Sequence, residues 1–172
     1  MGHERTDQIF DLLNQGFTTD QINTILAQRK QHSESLAQRG VKSELLAKNF
    51  LNSLNYVASA TIISDRESAD AKMRDIEVVI NKPVFEIEFA RRLVIPGNLI
   101  WVQVKSSNYG IDIAIAGLVR RTNISPSQID RLLYERRLIF LNARDDDNSN
   151  RSYFATQIDR MDYYWGGQKV SA

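Results

Sequence analysis

A polar pair inside an apolar run is the first sign of chemistry in this chain. Residues 100–107 read IWVQVKSS, and in an extended chain Gln103 and Lys105 share one face while the flanking valines share the other. Two serines and a turn signal follow, which predicts that the pair lies near the end of a strand. There the Lys105 ammonium group could position an attacking water or offset developing negative charge.

Two upstream carboxylates complete a candidate metal site. Asp75 precedes the apolar run IEVVI, and Glu44 lies in a predicted first helical turn. If the two strands are neighbours and the helix packs on their sheet, these acids reach the polar pair. Mg²⁺, with Mn²⁺ as the alternative, takes about six oxygen ligands. The proposed ligands are the side chains of Glu44, Asp75 and Gln103 and the carbonyl of Val104.

Each of these residues also has a plainer interpretation. Asp75 fits the end of a loop, and Glu44 fits an ordinary first-turn acid that the helix dipole favours. Lys105 fits a side chain that extends from a sheet edge to water. The metal-site hypothesis therefore depends on the combination and order of the residues.

The composition narrows the possible chemistry. The 172 residues include no cysteine, which excludes disulfides, zinc–thiolate sites and cysteine nucleophiles. Only His3 and His32 offer imidazole, and both lie in a polar N-terminal region, so neither a histidine metal site nor a Ser-His triad is expected. The start has no apolar leader, and no run approaches the roughly 20 apolar residues of a membrane span. We expect a soluble cytoplasmic protein without a membrane partner.

The hydrophobic pattern divides the chain into an N-terminal appendage, residues 1–40, and a core, residues 41–172. Residues 5–30 predict two short helices, the second capped by Thr18 or Thr19. The pair resembles a helix-turn-helix, but a helical hairpin explains it equally well. The polar tract 31–40 is either a linker or the exposed end of a helix.

The core pattern predicts a mixed α/β fold. A helix is expected from the candidate N-cap Ser43 to about Asn55, followed by strands at 56–63, 76–80, 84–89 and 100–105. An apolar segment at 110–122, a capped helix with Pro126 in its first turn and a buried strand at 138–143 follow. The aromatic C-terminal segment has no clear pattern.

This order of residues resembles the PD-(D/E)XK nucleases. The matching stretches are SELLAKNFLNSLNY with Glu44, MRDIEVVI with Asp75, and WVQVKSS with Gln103 and Lys105. They fall within residues 41 to about 143, with Gln103 in place of the second acid, as in the Mrr-type variant, and NKPVFEIEFARRLVIPGN as an insertion. The resemblance implies a restriction-endonuclease-like sheet flanked by helices. It also implies a metal-dependent DNA endonuclease of restriction, homing or junction-resolving type, acting as a dimer or tetramer.

The distribution of charge is consistent with a polyanion partner. Residues 89–144 hold nine lysines and arginines against three acids, a pattern typical of nucleic-acid-binding surfaces, although solvated helix faces explain it as well. The proposed DNA contacts are Arg91, Arg92, Ser106, Ser107, Arg120, Arg121, Arg136 and Arg137, with Arg131 a further candidate.

Two C-terminal features and two rival functions remain open. The acidic tract Asp145–Asp147 is either a second metal cluster or, as its Asn- and Ser-rich context favours, a solvated loop. The aromatics Tyr153, Phe154, Tyr163, Tyr164 and Trp165 either stack on bases or pack in the core or an oligomer. The rival functions are a non-catalytic nucleic-acid-binding protein with a degenerate nuclease core and an interaction module built on the aromatic C-terminus.

Overall fold

The computed structural model describes the backbone of residues 2–81, 84–87, 91–94, 98–106, 111–146, 151–158 and 161–165. The chain divides into two compact units, Met1–Arg39 and Gly40–Ala172. In the first unit, helix α1 (Gly2–Asn14) is followed by the start of helix α2 (Thr19–Ser53). Gly16, at φ +86°, allows the turn between them.

Thr18 caps helix α2, as the sequence predicts for this position. Its hydroxyl oxygen accepts a hydrogen bond from the amide of Gln21 at 3.4 Å, and its own amide donates to Gln21 Oε1 at 2.8 Å. This reciprocal pair satisfies amide groups that have no partner within the helix.

Helix α2 also corrects a sequence prediction. Residues 31–40 are helical, so α2 runs unbroken through the tract and continues to Ser53. Ser43 is therefore not an N-cap; it is buried within the helix. The tract QHSESLAQRG lacks proline, so nothing in it forbids a helix, and the single Gly40 costs only about 1 kcal/mol.

The second unit is a mixed α/β structure, which confirms the predicted fold class at this level. Strands β1 (Val57–Ile62) and β2 (Ile76–Ile80) are separated by the short helix α3 (Ala69–Lys72). The predicted insertion forms β3 (Val84–Ile87) and β4 (Arg91–Val94), which pair with each other in a separate sheet. Then follow β5 (Leu99–Lys105), α4 (Ile111–Thr122), α5 (Pro126–Tyr134), β6 (Leu138–Asp146), β7 (Arg151–Ile158) and β8 (Met161–Trp165).

The main sheet has the strand order β1-β2-β5-β6-β7-β8. Strands β1, β2 and β5 are antiparallel neighbours, whereas β6 runs parallel to β5. A parallel neighbour requires a crossover connection, and α4 and α5 supply it. The capped helix is confirmed: the Ser125 side chain accepts from the amide of Gln128, and Pro126 lies in the first turn.

The two faces of the sheet carry separate hydrophobic cores. One core joins Val102 and Val104 of β5 to Phe50 and Leu51 of α2. The other joins β6 to α4 and α5, with Leu118, Ile129, Leu133 and Phe140 among its residues. Because successive strand residues face opposite sides, Gln103 points away from the valine face and toward the α4 side.

Strand β7 contributes to the core that contains Val102 and Phe50. The sequence alone did not assign a structure to this C-terminal segment. Phe154 is fully buried and stacks on Phe50, with ring centroids 4.0 Å apart and an interplanar angle of 11°. For Phe154 this supports packing rather than base stacking. The side chains of Tyr153, Tyr163, Tyr164 and Trp165 lie outside the described residues. None of the described helices combines the length and the apolar character needed to cross a membrane.

Candidate active site

Asp75 lies where the pairing of β2 with β5 ends. The register places Ile76 opposite Val102, and the Asp75 amide donates to the Val102 carbonyl at 2.8 Å. Its carboxylate oxygen Oδ2 accepts from the Val104 amide at 2.7 Å and also from Gln103 Nε2. The carboxylate of Asp75 thus accepts from β5 where a main-chain carbonyl on the β2 side would otherwise do so.

Arg66 connects this carboxylate to helix α2. Its Nη1 lies 2.8 Å from Asp75 Oδ1, and its Nη2 lies 3.1 Å from Glu44 Oε2. Its Nε donates to the Ile63 carbonyl at 3.0 Å, and the Ile63 amide donates to the Asp75 carbonyl at 2.9 Å. One guanidinium group therefore holds together two acids from different elements.

On the other side of Gln103, the contact is with helix α4. Arg121, in the last turn of α4, donates from Nη2 to Gln103 Oε1 at 3.1 Å. Gln103 is buried, so these two contacts fix both ends of its amide: Nε2 toward Asp75 and Oε1 toward Arg121. A polar chain runs from α2 through the sheet to α4.

Burial dominates the electrostatics of Asp75. It raises the pKa of the carboxyl above its usual value, and the charge of Glu44 adds to this effect. The hydrogen bond from the Val104 amide opposes the rise, as do the charges of Arg66 and Lys105. The protein cations nearby thus do not fully offset the cost of burying this charge.

Lys105 is shifted toward its neutral form. Burial lowers the pKa of its ammonium group, the charge of Arg121 lowers it further, and the charge of Asp75 partly opposes the change. A lysine with a lowered pKa loses its proton more readily and is better suited to proton transfer. Such paired perturbations are common at functional sites, although structural ion-pair networks produce them too.

The oxygen donors at this site suit a hard cation such as Mg²⁺. Asp75 and Glu44 contribute carboxylates, and the Gln103 side chain contributes an amide oxygen. The amide and carbonyl of a strand residue point to the same side, so the Val104 carbonyl faces the Asp75 side of β5. In the arrangement described, Arg66 pairs with both acids and Arg121 with the Gln103 oxygen. Within the described residues, no group of three or more His, Cys, Asp or Glu side chains could hold a metal ion.

The structure thus brings the four predicted site residues, Glu44, Asp75, Gln103 and Lys105, into one region, but it adds a residue that sequence reasoning missed. Arg66 is flanked by acids in the loop sequence SDRESAD. A single arginine among acids is the only feature of this loop sequence that points to Arg66. The neighbouring residues do not show that its partners are Glu44 and Asp75.

The predicted DNA contacts differ in exposure and in their partners. Arg120 and Arg137 are exposed, Ser106 is half-buried, and Arg131 pairs with Glu135 at 2.7 Å. Arg136 is half-buried at φ 55°, and its buried Nε has no hydrogen-bond partner among the described residues. The side chains of Arg91 and Arg92 and the whole of Ser107 lie outside the described residues.

The acidic tract is not simply a solvated loop. Asp145 and Asp146 belong to β6, where pairing with β7 extends the strand beyond its apolar run. Asp145 accepts from the buried Ser152 at 3.0 Å and pairs with Lys42 at 2.8 Å. Asp147 lies outside the described residues. These contacts give Asp145 a structural role in the second unit.

Comparison with known proteins leaves the site to be interpreted from its own geometry. No family model matches the chain, and neither a curated protein nor a solved structure matches it. The contacts among the side chains and the order of the elements are therefore the basis of a functional proposal.

Proposed function

We propose that the chain is a metal-dependent DNA endonuclease that hydrolyses phosphodiester bonds and resembles the PD-(D/E)XK nucleases. The observation that carries the proposal is the hydrogen-bonded chain from Glu44 through Arg66 and Asp75 to Gln103. Glu44 comes from α2, Arg66 from a loop, Asp75 from the residue before β2 and Gln103 from β5. Lys105 lies near enough for its charge to act on Asp75. Burying the polar side chains of Asp75 and Gln103 costs free energy that apolar residues at these positions would avoid.

The order of elements supports a restriction-endonuclease-like core. The helix that carries Glu44 precedes the antiparallel strands β1, β2 and β5; Asp75 directly precedes β2, and the Gln103–Lys105 pair lies on β5. This is the sequence of parts that the resemblance implies. The inserted pair β3 and β4 forms its own sheet, so it lengthens the connection without interrupting the main one.

The proposed chemistry uses the oxygen donors and Lys105 in different roles. Asp75, Glu44 and the Val104 carbonyl would hold Mg²⁺ or Mn²⁺, together with Gln103 Oε1 after its amide turns. When bound, such an ion polarises a phosphate and lowers the pKa of a bound water. Lys105 would position the attacking water or offset the charge that develops on the phosphate.

DNA is the proposed partner because two neighbouring arginines of α4 lie at the edge of this region. Arg120 and Arg121 lie in the last turn of α4, and Arg121 reaches Gln103 at 3.1 Å. Arginines at such positions neutralise backbone phosphates without reading sequence. Cleavage of both DNA strands usually needs two active sites, so we propose that the protein acts as a dimer or tetramer.

A non-catalytic nucleic-acid-binding protein is the competing function, and one observation favours it. Arg66 satisfies both Glu44 and Asp75, and Arg121 satisfies the Gln103 oxygen. These oxygens thus already have cationic partners within the protein, as expected for a nuclease core that does not bind metal.

A cleavage assay separates these functions. Plasmid, linear and four-way-junction DNA would be incubated with the protein and Mg²⁺, Mn²⁺ or EDTA. The test variants are Asp75→Asn and Lys105→Met, and the matched controls are Asp130→Asn and Lys72→Met, whose side chains are exposed. We expect metal-dependent products, retained in both controls and reduced by about 100-fold or more in both test variants.

Two outcomes would contradict the proposal. If Asp75→Asn and Lys105→Met cut as well as the controls do, the assigned site is wrong. If no variant cuts any substrate but all bind labelled DNA with a steep salt dependence, the binding-protein interpretation replaces the enzyme.

A further inference from the structure

Arg66 lies between the two carboxylates that a metal ion would need, and we propose that it is a resident cation which a divalent ion must displace. In this arrangement the metal-free site is held together by Arg66. The bound site would instead be held together by the ion. This inference rests on the proposed function, since it concerns how the same site receives its metal.

The contacts of Arg66 make the two states mutually exclusive. Nη1 lies 2.8 Å from Asp75 Oδ1 and Nη2 lies 3.1 Å from Glu44 Oε2, so one planar group uses an oxygen of each acid. A guanidinium group carries only donors and cannot ligate a metal. An ion that joined both acids at about 2.0–2.1 Å would require that space.

Burial explains why the metal-free site needs a cation. The side chain of Asp75 is 4% exposed and that of Glu44 is 21% exposed. A buried carboxylate without a positive partner is strongly unfavourable. Arg66 supplies that partner, and a divalent ion would supply it with twice the charge.

The position of Arg66 makes displacement feasible. It lies in residues 63–68, which form neither helix nor strand, and its side chain is 33% exposed. Its neighbours Asp65 and Glu67 are exposed acids. A guanidinium group that left the site would therefore find water and carboxylates nearby, and the backbone would not have to break a helix or a sheet.

Calorimetric titration of the full chain with Mn²⁺ tests the inference without using activity. The variant is Arg66→Gln, and Asp75→Asn tests the metal site itself. The matched control is Arg74→Gln, because Arg74 is a similarly half-buried arginine whose ion pair, with Glu77 at 3.0 Å, lies outside the site. We expect Arg66→Gln to bind Mn²⁺ about tenfold more tightly than the wild type, or about 1.4 kcal/mol. Arg74→Gln should match the wild type, and Asp75→Asn should lose binding.

Thermal denaturation is a second measurement, and it remains informative if the substitution destabilises the fold. In EDTA, Arg66→Gln should melt at a lower temperature than the wild type, since its acids lack a cation. Saturating Mn²⁺ should then raise its melting temperature by more than it raises that of the wild type. If Arg66→Gln fails to fold in EDTA, Arg66→Lys replaces it. Lysine keeps the charge but cannot donate to both acids from one planar group, so this variant should bind Mn²⁺ more tightly than the wild type.

Two results would overturn the inference, and they differ in what they say about the nuclease. If the wild type binds Mn²⁺ and Arg66→Gln binds it equally or more weakly, Arg66 positions the acids and is not displaced, while the proposed function stands. If neither the wild type nor Arg66→Gln binds millimolar Mn²⁺, Arg66 is a permanent partner and the metal-dependent function fails as well.

Discussion

Replacing Asp75 with alanine should lower the stability of the metal-free protein and not only its activity. The carboxylate accepts from the Val104 amide at 2.7 Å and from Gln103 Nε2, and it pairs with Arg66 at 2.8 Å. The Asp75 side chain is 4% exposed, so water has little access to the groups that alanine would leave behind. Asp75 therefore helps to join β2 to β5.

The expected loss follows from opposing effects. Two buried donors, the Val104 amide and the Gln103 side chain, lose their acceptor, at about 1–3 kcal/mol each. Part of this loss of stability is offset. Burial raises the pKa of the Asp75 carboxyl, so its charged form is less favourable in the folded protein than in the unfolded chain, and alanine removes that charge. We expect a net loss of about 2–4 kcal/mol for Asp75→Ala. Asp75→Asn should lose about half as much, since its oxygen still accepts from Val104.

Urea denaturation followed by circular dichroism, in EDTA at neutral pH, measures these values. The control is Asp130→Ala, an exposed acid on α5 that should change the free energy of unfolding by less than about 0.5 kcal/mol. If Asp75→Ala matches that control, the carboxylate does not hold Val104 and Gln103, and the convergence of the site residues is refuted. The same data show whether a loss of cleavage in Asp75→Asn reflects chemistry or unfolding.

Three further predictions concern the fold and its pH dependence. Phe154→Ala should lower the free energy of unfolding by about 3–5 kcal/mol, because it leaves a cavity beside Phe50; an unchanged urea midpoint would show that β7 does not pack there. Ser125→Ala should cost about 1 kcal/mol through loss of the helix cap, measured against Ser64→Ala at an exposed loop position. Because burial raises the pKa of Asp75, the folded protein retains that proton to a higher pH than the unfolded chain does. The stability of the wild type relative to Asp75→Asn, measured in EDTA, should therefore fall as pH rises from about 4 through the raised pKa, and a constant difference would contradict the shift.

Short-range patterns account for the features that the sequence predicted well. Thr18 with Gln21 and Ser125 with Gln128 are capping pairs three residues apart, so local geometry is enough to identify them. The helix start at Ser43 was wrong for a related reason. A polar tract carries no signal that separates a linker from an exposed helical surface, and α2 continues through it.

Alternation along β5 determined that Gln103 and Lys105 share a face, and the order of Glu44, Asp75 and this pair indicated a site before any contact was known. Only the tertiary structure decided how that site is held. Arg66 reaches Glu44 across 22 positions, and Arg121 reaches Gln103 across 18. Contacts at such separations depend on the path of the whole chain, so no local pattern encodes them. The sequence therefore determined which chemical groups are available, and the packing of α2, β2, β5 and α4 decided that two arginines hold them.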